Sequence, residues 1–166
     1  MVDSILPVEE EIRRFRSQLD TPPVAALSDA YETPELLVRQ YLDALSDRDT
    51  SRLNRLVIDA REFIDLYYPS SPYSRPPYRQ NPSFVWFIIQ QNSKKGMSRA
   101  LARFGGRSVR YLSQDCRRAE PQGENRFWEC TVLVESDGKE QPPQRLFGSI
   151  MERDRRYKFV SLAGDL

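Results

Sequence analysis

The two cysteines of this chain, Cys116 and Cys130, each lie seven residues from Gly123, at the centre of the turn-like stretch 120–125. The runs 108–116 and 126–135 on either side read as strands. A symmetric hairpin closed near Gly123 sets the two sulfurs opposite each other, so the spacing predicts a cross-strand disulfide. That predicts a local structure and a compartment, but no reaction.

A chain of 166 residues fits one domain with a sizeable core, and 39% apolar and 30% charged residues describe a globular rather than a disordered protein. The longest apolar run, 84–89, has six residues, far short of a transmembrane segment. The net charge of +1 argues against nucleic-acid binding driven by bulk electrostatics. The charge is unevenly placed, however. Residues 1–66 hold 8 basic and 14 acidic side chains, whereas residues 67–114 hold 8 basic ones and no acid. A solvated basic helix face is the plain explanation of that second run; an anion-facing surface is the sharper one.

Histidine is absent, which removes histidine triads, imidazole proton shuttles and most zinc sites. With the cysteines paired, a Cys–His nucleophile is excluded too. Neither a glycine-rich phosphate loop nor a carboxylate cluster at metal spacing is present, so no metal, no cofactor and no catalytic residue is assigned. Residues 1–20 lack the basic start, apolar stretch and cleavage site of a signal peptide. Two alternatives follow. Either Met1 is the native start and the cysteines stay reduced in the cytoplasm, or this is a mature form whose export signal has been removed. The mirrored cysteines favour export to the periplasm or beyond.

Periodicity predicts helices first. Val8, Ile12, Phe15 and Leu19 share a face, and 21–32 reads as a linker, so 1–32 is an N-terminal helix and linker, with 33–166 as the main domain. Thr33 and Pro34 start the next helix, which buries Leu37, Tyr41, Ala44 and Leu45. A further helix restarts at Asp49 or Thr50 and carries the stripe Leu53, Leu56, Val57, Ala60, Phe63, Ile64 and Tyr67 up to Pro69; β-branched residues cluster around 57–59 and leave a break there open. Five prolines in residues 69–82 predict an extended or polyproline-like loop. Asn81 and Pro82 open a helix to about Phe104, on which Val85, Ile89, Ser93, Gly96, Ala100 and Phe104 share a face. The small residues at its middle predict a close approach by another element, or a bend. Strands are expected at 108–116, 126–135, 145–153 and 156–162, joined antiparallel by short turns. This is an α+β order. In a symmetric hairpin Val109, Tyr111, Phe127 and Leu133 would form a second apolar face opposite that of Trp128, Cys130, Val132 and Val134. Such a face calls for curling or for a cover, for example a partner subunit.

Residues 35–57 resemble the opening helix pair of the nuclear transport factor two-like (SnoaL-like, ketosteroid-isomerase-like) superfamily: an apolar helix, an acidic-basic break at Asp47, Arg48 and Asp49, and a second helix. Residues 145–162 are similar to its closing hairpin. The resemblance implies a cone: a curved antiparallel sheet wrapped on the N-terminal helices, with an apolar cavity and, in many members, a homodimer through the outer sheet face. Members include isomerases, dehydratases and domains without activity, so fold leaves function open. Dehydratase-like sites use histidines, which are missing here. Asp59, Asp65, Tyr67, Tyr68 and Asp115 supply the residue types of isomerase-like sites, but none matches the motif closely enough to carry a role.

The proline loop is bracketed by Tyr67, Tyr68, Tyr73, Arg75, Tyr78 and Arg79. Such tyrosines ordinarily pack their rings and such arginines pair with acids or carbonyls. The functional alternative is a lid over the cone mouth that presents phenols and guanidiniums to a small hydrophobic or anionic ligand. A proline-rich peptide for an aromatic groove is a third alternative. Asp65, among apolar neighbours, is a candidate cavity base or an ordinary partner for an arginine. Trp86 is a candidate cavity wall. Three functions follow as expectations: an exported binding domain without catalysis, a metal-independent acid–base enzyme acting on a hydrophobic molecule, and a structural dimerisation module.

Overall fold

Side-chain caps set where most of the α-helices begin. The structure, a computed structural model, describes residues 6–166. Helix α1 (Val8–Ser17) carries Glu9, Glu10 and Glu11 in its first turn, at the positive end of the helix dipole. Helix α2 (Pro34–Ser46) starts where Thr33 Oγ1 accepts the Leu36 N–H at 3.1 Å. Asp49 caps the short α3 (Thr50–Arg55) in the same way. The one-turn α4 (Ala60–Glu62) has a reciprocal cap: Asp59 accepts the Glu62 N–H and Glu62 accepts the Asp59 N–H, both at 2.9 Å. It runs on as a π-helical turn, Phe63–Tyr67. Asn81 and Pro82 open the long α5 (Pro82–Phe104), which stops at Gly105.

Strands β1 (Val109–Arg118), β2 (Arg126–Ser136), β3 (Lys139–Glu140), β4 (Ile150–Arg153) and β5 (Arg156–Phe159) form one antiparallel sheet. Their order is β1-β2-β4-β5, with β3 on the end of β2. Helices first and an open sheet last make the fold α+β, as expected. The disulfide expected from the spacing is there: Cys116 sits opposite Cys130 and is bonded to it. At the hairpin tip, Gln122 and Asn125 exchange backbone hydrogen bonds around Gly123, whose φ of +59° suits glycine. A Cβ there would also come within 2.6 Å of Ser70 Oγ, so the tip rests against the proline segment.

Two cores lie on opposite faces of the sheet. The inner face presents Trp128, Cys130, Val132, Val134, Ile150 and Phe159 to α2, α3 and the second half of α5. The space between is filled by Leu37, Tyr41, Leu45, Phe104 and Phe147. On the other face Phe127 and Met151 meet α1, the turn Phe63–Tyr67 and the first half of α5. The expected second apolar face on the hairpin is therefore corrected. A register shift between Tyr111 and Ser113 turns Val109 and Tyr111 inward, against the inner core. Phe127 is covered by its own chain. What faces outward on β1 and β2 beyond the half-buried Leu133 is polar, with Arg110 and Glu135 paired at 2.8 Å.

Four other expectations change. The helix expected from Asp49 to Tyr67 is broken: Ile58 N–H donates to the Phe159 carbonyl at 2.8 Å and Phe159 N–H to that of Leu56 at 2.9 Å. The β-branched Val57 and Ile58 thus serve as a strand along β5. Tyr31 of the expected linker exchanges two backbone bonds with Tyr157, so the β5 edge is covered by its own chain. The proline loop is not extended. It forms two 3₁₀ turns, Tyr68–Ser70 and Pro72–Ser74. Hydroxyls close them: Ser71 Oγ donates to the Tyr68 carbonyl and Ser74 Oγ to those of Pro69 and Ser71. Finally, 145–149 is not part of β4. The pairing of β4 with β5 begins only at Ile150, and Leu146 and Phe147, both fully buried, fill the inner core from an irregular segment.

The small residues of α5 mark a close approach. An added Cβ on Gly96 would lie 2.0 Å from the Leu162 carbonyl oxygen and 2.8 Å from Ala163 Cα, all backbone. Gly96→Ala is expected to lower stability by about 1–3 kcal/mol, since neither backbone can yield without breaking the Leu162 N–H to Ser93 Oγ bond. Urea denaturation followed by circular dichroism measures it.

Candidate functional site

A hollow of about 300 Å³ opens between α5 and the chain at residues 54–60. It exists because of the helix break. By pairing with β5, residues 56–58 swing away from α5 and leave a gap that no side chain fills. Val57, Ile58 and Ala60 form one wall, and Trp86, Ile89 and Met97 the other. The Trp86 indole is held by a stacked contact with Phe63 at 4.9 Å between ring centres. The polar lining comes from Asn54, Asp59, Gln90, Ser93 and Lys94.

These polar groups are not equally free. Ser93 Oγ accepts the Leu162 N–H. Asp59 Oδ1 accepts the Glu62 N–H and its Oδ2 binds Arg61 at 2.9 Å. Burial pushes the Asp59 carboxyl up, but the Arg61 guanidinium, the Glu62 N–H and the nearby Lys158 outweigh it and hold the group below the usual carboxylate range. Lys94 has no ion-pair partner among the described residues. The hollow therefore combines an apolar body, two amides and one uncompensated cation.

Of the ligand-binding candidates read from the sequence, Trp86 alone lines this hollow; Asp59, named there only as a residue type of isomerase-like sites, lines it too. Asp65 is paired with Arg16 at 2.9 Å and accepts the Val24 N–H, so it straps the N-terminal segment to the body. Tyr67 packs against Phe63 and edge-on to Phe127; burial, then the nearby Tyr73, push its phenol up to about 12. Tyr68 is fully buried and donates its hydroxyl to the Gln80 carbonyl at 2.6 Å; burial and Glu11 push it up to about 12. Tyr73 packs at the edge of the same core. Arg79 is taken by Glu11 at 3.2 Å and by the Leu6 carbonyl. Arg75 and Tyr78 are exposed. These groups mostly hold the proline segment down and do not converge on one ligand.

Residue spacing does not point to Asn54, Asp59, Gln90 and Lys94 as a group. The cluster of β-branched residues at 57–59 is the signal that could find them, because a break there is what opens the gap. A second constellation is equally silent in the sequence. Arg126, Glu152 and Tyr157 stand in register across three strands. Glu152, nearly buried, accepts the Trp128 indole N–H at 3.0 Å and lies 3.9 Å from Arg126. Burial, then a hydrogen bond to Glu152, raise the Tyr157 phenol.

No family model matches the chain, and no match is found among curated proteins or solved structures. Among the described residues no helix is long and apolar enough to cross a membrane.

Proposed function

We propose that this chain is a non-catalytic binding module that takes a small amphipathic anion in the hollow beside α5. The observation that carries it is the union, in one hollow, of an apolar wall and an uncompensated Lys94 beside amides. An apolar body with a few convergent polar groups is what a small-molecule site requires. The carboxylates nearby are spent: Asp59 on Arg61, Glu62 on Lys158 and Asp65 on Arg16. That supports binding over proton transfer. The nuclear transport factor two-like cone is the fold we infer for it, supported by the helices-then-sheet order and by α2 and the second half of α5 lying on one sheet face. Export fits the formed disulfide.

Decanoate, as the probe, is expected to raise the melting temperature saturably and to shift the tryptophan emission. Lys94→Gln should weaken decanoate about tenfold while leaving decanol unchanged, because only the carboxylate uses the charge. Met97→Trp, which fills the hollow, should abolish both responses. A flat response to both probes would end the proposal.

A second reading has one observation in its favour. Glu152 beside Tyr157 is a carboxylate next to a phenol on the inner sheet face, the pair that acid–base chemistry on a hydrophobic molecule would use. It is the weaker reading, since Glu152 lies outside the hollow and already serves Trp128 and Arg126.

A further inference from the structure

We propose that the outer ridge of α5 seats the protein on an anionic membrane surface, independently of what the hollow binds. The ridge begins with apolar side chains that a water-facing helix does not ordinarily show. Phe84 and Phe87 are each 55% exposed and Ile88 39%, at the three- and four-residue spacing that places them on one helix face. Tyr78, 65% exposed, stands just before the helix. Farther along the same face comes Lys95, eleven residues and about 16 Å from Phe84, flanked by Arg99. Both are exposed; Arg99 donates to the Leu166 backbone oxygen at 3.4 Å, and neither is paired with an Asp or Glu among the described residues.

Charge chooses the occupant. Residues 67–114 hold 8 basic side chains and no acid; Arg79, Arg107 and Arg110 are paired with acids from elsewhere in the chain, and Arg75, Lys94, Lys95, Arg99 and Arg103, without an Asp or Glu partner among the described residues, keep this flank cationic along the loop and α5. A second copy meeting this ridge with its own would bring two such flanks together with no carboxylate from 67–114 to separate them. A bilayer with anionic headgroups supplies both complements at once. Aromatic and aliphatic side chains enter the headgroup boundary, and the long basic side chains reach the phosphates around them. More than half of each phenylalanine is uncovered, which suits insertion into a soft surface.

The test is sedimentation of the full chain with vesicles of phosphatidylcholine alone and of equal parts phosphatidylcholine and phosphatidylglycerol. Binding is expected to the mixed vesicles, weakly or not at all to phosphatidylcholine, and to fall as salt rises. Phe84→Ser with Phe87→Ser should reduce binding by about tenfold or more, with the melting temperature unchanged because both side chains already face water. Lys95→Glu should reduce it by about fivefold or more and remove much of the preference for the anionic lipid. Equal binding to both vesicle types, no binding to either, or binding indifferent to the phenylalanines would overturn the proposal. So would sedimentation equilibrium showing a dimer that the two phenylalanine changes dissociate, which would assign the ridge to a second copy.

Discussion

Lys158→Met is expected to cost the fold about 3–5 kcal/mol, because it strands a buried carboxylate without its cation. Lys158 projects from β5 on the face opposite Phe159 and meets Glu62 at 2.7 Å, with side chains only 3% and 1% exposed. Glu62 is otherwise satisfied from within. Its Oε1 also accepts the Asp59 N–H and its Oε2 the Ser28 N–H, both at 2.9 Å. Removing the lysine leaves a buried negative charge with two amides as its hydrogen-bond donors and only the more distant Arg61 as a cation, and desolvation then dominates. Neutralising the partner as well should recover much of the loss: Lys158→Met with Glu62→Gln keeps an acceptor for the amides and no buried charge. Urea denaturation of the single and double variants beside the parent protein measures this. A single-variant loss under about 1 kcal/mol would mean that the pair behaves like a surface ion pair.

Replacing both cysteines is the second large effect. Cys116 and Cys130 enclose a loop with a sequence separation of 14, and losing the bond should lower stability by about 3 kcal/mol through the freedom returned to the unfolded chain. Cys116→Ala with Cys130→Ala is the proper variant, because Cys130 is buried and alanine leaves no hydroxyl to satisfy. The strand register should survive, since Val132 and Val134 still anchor β2 in the inner core. A denaturation midpoint unchanged from that of the oxidised protein would show that the reduced hairpin is already ordered in the unfolded ensemble.

Sequence and structure part company where tertiary contacts compete with local preference. The stripe from Leu53 to Tyr67 has good helical spacing, yet the exposed edge of β5 claims residues 56–58 and breaks it. Prolines hold φ near a value that both polyproline and 3₁₀ geometry accept. Local sequence does not decide between them; the burial of Tyr68 and the hydroxyls of Ser71 and Ser74 do. A symmetric hairpin has no bulge near Leu112, and one extra residue reverses every side chain beyond it. The hollow is invisible in the sequence for the same reason as the helix break. It is a space left between two elements, and no residue spacing along either element encodes the gap.

From the chain of residues alone follow the start of nearly every helix, the opposed cysteines and the need for a small residue at position 96. Each of these is governed by interactions within a few residues or by a steric requirement at one atom: a hydroxyl or carboxylate reaching a nearby amide, a symmetric turn, a missing Cβ. Only the packed molecule decided which carboxylates are spent. Asp65 met Arg16, Glu62 met Lys158 and Asp59 met Arg61, and two of those three pairs join residues far apart in the chain. A charge's chemistry depends on what lies within a few ångströms of it, and that neighbourhood is assembled by the fold.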